Sequence, residues 1–439
     1  MAQCVARPKG GPRLNPHTYH AMKPSDRPPV IHPTLSRRDP RRWVALVGYV
    51  GVAMMTQVLW MNVAPLATLI QQRYKVDEQA VAGLMIAFPV LYIVLSIHAG
   101  RMIDRRGYRR AIGLGSILCV LSSLLRIPDS GFVWLAVGQL GIAVAQPYVI
   151  NGITKLVTDW FPQEETAAAT GIGTAGILLG MALGLGVTPV LVDAWGMSTA
   201  MASFSVMSLV LTLGFFVALR GEPLCATTPV PAVCATPSEA RLRDLFAYPG
   251  LRRLLLPWTL AYGAFNGLTS WLEPILHQRG LSAAEAGLAG AAMILGGIVG
   301  SFLIPPLSQR FRLRREALLL ACGSAMALMW PICAPSSAEQ LYVTATLFGV
   351  LFLPAYPIIL TLAEEAVGPQ QAGVSTSLLM MLGNLGATVA ILVMPVLTAE
   401  RGDWIPAVAL IVGMMTLALA FLLRVSSERS PESLQRRRG

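Results

Sequence analysis

Apolar and polar residues alternate along this chain in long blocks, not at the period of an amphipathic helix or a strand. Twelve apolar stretches, approximately 43–70, 80–99, 111–127, 131–157, 166–190, 196–219, 251–276, 285–307, 316–334, 340–362, 371–397 and 404–424, are separated by short segments that collect the charges. A bilayer core about 30 Å thick takes roughly 20 residues of helix per crossing. Backbone polar groups in hydrocarbon must also be satisfied within the segment itself. The pattern therefore predicts an all-α integral membrane protein with twelve transmembrane helices and the lipid bilayer as its surroundings.

The stretches repeat. Pro147 to Pro162 followed by Gln163 returns as Pro354 to Pro369 followed by Gln370, a shift of 207 residues. Pro65 is answered by Pro274 at 209, and Asp104-Arg-Arg-Gly-Tyr-Arg109-Arg110 has a degraded echo in Gln309-Arg-Phe-Arg-Leu-Arg314-Arg315 at 205. A nearly constant shift over six helices implies two pseudo-symmetric six-helix bundles in parallel orientation. The expected organisation is a basic disordered tail at 1–42, a first bundle at 43–220, a linker at 221–250, a second bundle at 251–424 and a basic tail at 425–439.

Charge refines the topology. The formal net charge is +11, yet only 13% of residues are charged, against roughly 25% in an ordinary soluble domain. With both termini cytoplasmic, 28 of the 34 Lys and Arg fall on the cytoplasmic side, and Arg73, Lys75, Arg126, Arg279 and Arg401 on the other. That is the positive-inside bias, helped by anionic headgroups, and the expected location is a bacterial inner (plasma) membrane. Nucleic acid is excluded as a partner, because no folded domain outside the helices remains to hold it. Tail and linker are Pro-rich, and the linker run from Cys225 to Pro237 is of low complexity, as linkers are. The cysteines show no disulfide framework, and no metal site is expected.

Polar residues inside apolar stretches are costly and mark either helix contacts or a solute path. In the first stretch Gln57 and Trp60 share a face; in the fourth, Gln139 and Gln146 share one face while Tyr148, Asn151 and Lys155 share another. The seventh carries a polar stripe, Tyr262, Asn266, Ser270 and Glu273, and Asn384 lies in the middle of the eleventh. Glu273 is the leading site for a coupling ion, a proton or sodium, with an acid simply reaching water as the alternative. Tryptophan faces and uncharged amides suit an organic cation or zwitterion, whereas a phosphorylated solute would lack a clamp. Gly171-Ile-Gly-Thr-Ala-Gly176 spells a dinucleotide fingerprint but follows no strand, so its context excludes that reading. No cofactor is expected, and without a nucleotide-binding loop the energy must come from a gradient.

After the second stretch, Gly100, Asp104, Arg105, Gly107, Arg109 and Arg110 resemble the loop between helices two and three of the major facilitator superfamily. That resemblance implies the major facilitator fold, with Asp104 facing the cytoplasmic start of the eleventh helix, near Gly368 to Gly373. It also implies that arginines such as Arg105 or Arg109 pair with acids such as Asp159 or Glu164 to lock the cytoplasmic side. The run Gln146-Pro-Tyr-Val-Ile-Asn151 to Trp160-Phe161-Pro162 is similar to the feline leukaemia virus subgroup C receptor-related carriers, associated with haem, choline and ethanolamine. By that likeness Trp60 falls where those carriers pack a tryptophan on choline, and Gln146 where their polar partner sits.

The reading is a secondary active transporter, working as a monomer, that moves a small organic solute such as a choline-like amine by alternating access. Gln57, Trp60, Gln139, Gln146, Tyr262, Asn266 and Asn384 are its candidate substrate contacts. A multidrug-type efflux carrier is the alternative within transport. A membrane sensor or enzyme is the alternative outside it, although neither a signalling domain nor a cluster of facing acids and histidines is evident.

Overall fold

The structure, a computed structural model, describes residues 40–127, 131–162, 165–220, 247–367, 372–399 and 402–427. The 1–42 tail, the 221–250 linker and the 425–439 tail fall almost wholly outside the described residues.

Among the described residues the apolar stretches form α-helices. Span 1 is α1 (Arg41–Met61) and α2 (Ala67–Tyr74), separated by a 3₁₀ turn at Ala64–Leu66. Spans 2 and 3 are α3 (Glu78–Arg106) and α4 (Tyr108–Leu124). Span 4 is α5 (Phe132–Ile150) and α6 (Gly152–Trp160), spans 5 and 6 are α7 (Thr166–Trp195) and α8 (Met197–Ala218). Spans 7 to 9 are α9 (Pro249–His277), α10 (Ala283–Arg310) and α11 (Arg314–Cys333). Span 10 is α12 (Ala338–Phe352) and α13 (Ala355–Val367), followed by α14 (Ala372–Ala399) and α15 (Ile405–Ser427) as spans 11 and 12. Ten of these spans are long and apolar enough to cross a membrane. The remaining two are α4, which is 17 residues long, and α9, which is 29 residues long and carries the polar stripe.

The three broken spans depart from the uniform helices expected from hydropathy, and proline explains two of them. Pro65 opens the 3₁₀ turn of span 1, and Pro354 stands between α12 and α13. A proline in a helix removes one N–H and clashes with the preceding turn.

Packing repeats with the sequence. Spans 1 and 5, 1 and 6, 2 and 4, 3 and 4, and 3 and 6 pack against one another, and so do their counterparts six spans later: 7 and 11, 7 and 12, 8 and 10, 9 and 10, and 9 and 12. The two bundles meet through span 5 against span 8 and span 2 against span 11, two pairs that the same six-span shift interchanges. Large apolar side chains such as Val94, Ile97, Leu213, Phe302 and Leu303 stay exposed on the outside, as a hydrocarbon solvent permits. The end carrying the α3–α4 and α10–α11 turns is strongly basic, with Arg105, Arg106, Arg110, Arg310 and Arg312 all exposed; it is called the basic end below, and the opposite one the far end.

The bundles touch closely in their far halves. A Cβ on Gly186 would lie 2.8 Å from the Ala291 Cβ, and one on Gly287 would run into the Leu185 carbonyl oxygen and stand 2.8 Å from Pro189. Small residues let helices in lipid approach this closely. Replacing Gly287 by Ala is therefore expected to cost roughly 1–3 kcal/mol through overpacking, read as a lower melting temperature in detergent. Gly323→Ala, where nothing lies within 4 Å of the added Cβ, is the control and should be neutral or slightly stabilising.

Candidate functional site

The breaks place polar groups at the centre of the first bundle. Gln57 on α1 donates from Nε2 to Gln146 Oε1 on α5 at 3.0 Å, Gln146 Nε2 donates to the Thr56 carbonyl at 3.3 Å, and Gln139 Nε2 donates to the Trp60 carbonyl at 3.3 Å. The three glutamines are at most 2% exposed. They form a ladder between spans 1 and 4, and Gln139 and Gln146 do share the face expected for them. The other face of span 4 meets span 2: Tyr92 Oη donates to Asn151 Oδ1 at 2.7 Å, Asn151 Nδ2 to Ser96 Oγ at 3.1 Å, and His98 Nδ1 lies 2.7 Å from Tyr148 Oη.

Each bundle carries one aromatic group. From the first, Trp60 packs on Phe88 with ring centroids 4.4 Å apart, and Phe88 on Tyr92 at 5.3 Å. From the second, Trp258 packs on Tyr262 at 5.0 Å and on Tyr356 at 5.5 Å. The phenols of Tyr92, Tyr262 and Tyr356 sit within electrostatic reach of one another across the divide. Hydrogen bonds hold the indoles in place: Trp60 Nε1 donates to the Met85 carbonyl at 3.3 Å, and Trp258 Nε1 to the Leu379 carbonyl at 2.7 Å. Gly383 makes room on span 11, since a Cβ there would stand 2.8 Å from Trp258 Nε1. Asn266 and Asn384 are buried and donate within their own helices, to the Tyr262 carbonyl at 2.9 Å and the Met380 carbonyl at 2.8 Å.

Glu273, 4% exposed, does not simply reach water. Its Oε2 accepts from the backbone N–H and from Oγ1 of Thr68, both at 3.0 Å. Thr68 lies in the first turn of α2, whose N-cap residue Leu66 offers no side-chain oxygen. A helix start leaves N–H groups unpaired and carries a positive dipole end, so a carboxylate from the second bundle caps a helix of the first. The pair borders a far-end cleft of about 430 Å³ lined also by Gln72, Asp193, His277 and Ser282.

Arg126, which its sequence places at the non-cytoplasmic end of the third stretch, is buried. It is 4% exposed; Nη1 donates to the Leu59 carbonyl at 2.7 Å and Nη2 to Asn62 Oδ1 at 2.6 Å. At the basic end, Gly107 sits at φ +82° between α3 and α4 and closes α3 through its N–H to the Ile103 carbonyl at 2.9 Å. Only glycine takes that backbone region without strain, which accounts for this position of the motif. Gly100 lies in α3 with open space around it, and Arg105 and Arg110 are exposed. Asp159 accepts from Lys155 at 2.8 Å, where an arginine of the α3–α4 turn was expected; the two are four residues apart on α6, the spacing that favours such a pair. Arg109 is half-buried. The Asp104 side chain, Glu164 and the start of span 11 at 368–371 lie outside the described residues. Sequence reasoning missed Thr68, Phe88, Tyr92, Arg126, Trp258 and Tyr356. Only Tyr356, two residues after the repeated Pro354, carried a signal that could have found it.

A fold of two six-span bundles joined through spans 5–8 and 2–11 is that of a membrane transporter. The family model of the Major Facilitator Superfamily matches residues 45–384 and 259–439, and the chain belongs to that superfamily. It is 25% identical over 377 residues to solute carrier family 49 member A3 of Xenopus tropicalis, covering 82% of this chain and 78% of that one. It is 22% identical over 361 residues to the human choline/ethanolamine transporter FLVCR2, covering 77% and 68%. Among solved structures it matches a bacterial homologue of the human lysosomal transporter Spinster in an inward-facing, unoccupied conformation, with a TM-score of 0.66 at 18% identity over 89% of this chain and 96% of that one. The peptide transporter POT in complex with sulfate matches with a TM-score of 0.69 at 13% identity, covering 87% and 94%. These likenesses establish the fold, and the relatives with assigned activities are transporters.

The glutamine ladder predicts that Gln146→Leu removes both hydrogen bonds by which Gln146 ties span 4 to Gln57 and to the Thr56 carbonyl of span 1. Hydrogen bonds between helices in lipid contribute roughly 0.5–2 kcal/mol, so the variant should melt several degrees lower in detergent. A melting temperature equal to that of the unaltered protein would show that the ladder does not form.

Proposed function

We propose that the chain is a secondary active transporter that moves a small organic cation or zwitterion, of the class of a choline-like amine, by alternating access, with both termini and the basic end in the cytoplasm. The observation that carries the reading is the pair of aromatic groups, Trp60–Phe88–Tyr92 on one bundle and Trp258–Tyr262–Tyr356 on the other, whose three phenols lie within electrostatic reach of one another. An aromatic face attracts a cation by roughly 0.5–2 kcal/mol, more when water is excluded, and the phenol oxygens orient a hydroxyl or ammonium. The likeness to a human choline/ethanolamine transporter supports the same class. Gln57, Gln139 and Gln146 back the site from behind Trp60, while Asn266 and Asn384 belong to the wall of the second bundle. The contacts between bundles at the far end, Gly186 to Ala291 and Thr68 to Glu273, suit a conformation closed away from the cytoplasm.

Coupling falls to Glu273. In the closed far gate its charge is held by the first turn of α2. When the bundles rock apart that cap is lost, and the carboxylate is left to the cleft it already borders beside Asp193 and His277. A proton taken up there would travel with the conformational change, which is how a gradient drives a carrier whose central site lies between two repeats.

Two outcomes test this reading in liposomes. Trp60→Phe should retain part of the binding of choline and Trp60→Ala lose most of it, while the uncharged isostere 3,3-dimethylbutan-1-ol is affected little by either; equal losses for both ligands would remove the cation from the account. Glu273→Gln should abolish stimulation of choline uptake by a proton gradient while preserving choline exchange, since exchange needs the cavity but no net protonation. Unchanged proton dependence in that variant would place the coupling group elsewhere.

A further inference from the structure

We infer that Arg126 is a positioning residue of the substrate site: it holds the last turn of α1, and with it the Trp60 ring, in place beside the break in span 1. The inference rests on the reading of Trp60 as a substrate-facing ring.

The need for such a residue follows from the break itself. In a continuous helix the carbonyl of Leu59 would accept from Val63, that of Trp60 from Ala64, and that of Met61 from residue 65, which is Pro and has no N–H. The chain instead turns into the 3₁₀ segment at Ala64–Leu66, where the Leu66 N–H bonds to the Val63 carbonyl. The carbonyls around Trp60 are thereby left without their helical donors in a region closed to water, and an unpaired buried polar group is costly. Side chains from two other spans supply the donors. Arg126, beyond the end of α4, gives Nη1 to Leu59 and Nη2 to the Asn62 side chain; Gln139 of α5 gives Nε2 to Trp60 itself. Residues 59, 60 and 62 are each held, so the turn that carries the indole is bracketed on both sides.

The type of residue matters. A guanidinium offers several donors in a rigid plane and spans two acceptors at once, whereas an ammonium is a single point on a flexible stem. Its charge lies at the C-terminal end of α1, where the helix dipole is negative. Space for its stem comes from Gly138 on α5: a Cβ at that position would stand 2.6 Å from the Ser122 carbonyl oxygen and press on the Arg126 side chain. Met201 of α8 closes the fourth side, with its sulfur 3.6 Å from Nη2. Arg126 thus ties α1 to spans 3, 4 and 6 of its own bundle, while α2 on the other side of the break is tied to the second bundle through Glu273. The tie to Arg126 lies within one bundle and persists when the bundles separate.

The test follows the Trp60 side chain directly. The protein is labelled with 5-fluorotryptophan, and the fluorine resonance of Trp60 among the nine tryptophans is assigned with Trp60→Phe. Arg126→Lys keeps the charge but cannot bridge Leu59 and Asn62, and Gly138→Ala displaces the arginine without replacing it. In either variant the Trp60 resonance should shift or split while those of Trp258 and Trp271 stay, and the preference for choline over 3,3-dimethylbutan-1-ol should fall roughly tenfold, the scale of a lost cation–ring contact. An unmoved Trp60 resonance in folded Gly138→Ala and Arg126→Lys protein, or a loss of melting temperature with the ligand preference intact, would leave Arg126 a packing residue and overturn the proposal. If Arg126→Lys does not fold, Gly138→Ala decides. Failure of the unaltered protein to bind choline would remove the substrate reading alone, because the fluorine shift needs no ligand.

Discussion

A helix interrupted inside a bilayer exposes carbonyls at one end and amides at the other where no water reaches them, and this molecule is organised around one such interruption. The break at residues 62–66 faces Arg126 and Gln139 on its carbonyl side and Glu273 on its amide side. Each half-helix dipole end thus meets a charge of opposite sign. The two charges differ in origin: the cation comes from the same bundle and the anion from the other. One half of span 1 is thereby fixed to its own bundle, and the other half is joined to the opposite bundle by a buried acid.

That asymmetry links structure to the proposed transport cycle. Trp60 ends the fixed half and packs with Phe88 and Tyr92 into the aromatic group of the first bundle; Trp258, Tyr262 and Tyr356 form that of the second, and the two are the walls of the site proposed above. In that proposed cycle a solute held between the walls would pull the bundles together, and the Thr68–Glu273 joint would decide whether the far side is shut. Close backbone packing of spans 5 and 8 around Gly287 gives the rocking motion its bearing.

Much of the fold was legible in the chain. Block hydropathy gave the spans, and the prolines at 147, 162, 354 and 369 gave the repeat that the packing pairs reproduce. Gly107 was legible because a motif glycine demands a backbone region other residues avoid. The site was less so, for physical reasons. Gln57, Gln139 and Gln146 stood out as polar residues in apolar stretches, but sequence cannot say whether an amide turns to a solute or to a neighbouring helix; here carbonyls of span 1 take Gln139 and Gln146, and Gln146 takes Gln57. Glu273 stood out for its charge, while its partner Thr68 is an ordinary residue whose role depends on a helix start that hydropathy does not show. Arg126 counted only as a charge on the non-cytoplasmic side, at the end of the third stretch; its burial depends on Gly138 and on the break in span 1, both distant in sequence.

The account stands on the joint between Thr68 and Glu273, and distance measurement between spin labels at Gln72 and Arg279, both exposed at the far end, tests it most directly. In protein with Glu273 intact, electron–electron double resonance should give one short distance; Glu273→Gln and Thr68→Val should each add a second, longer population that grows when both are combined. A single unchanged distribution in all three variants would contradict the account, because the far side would then be closed by packing alone.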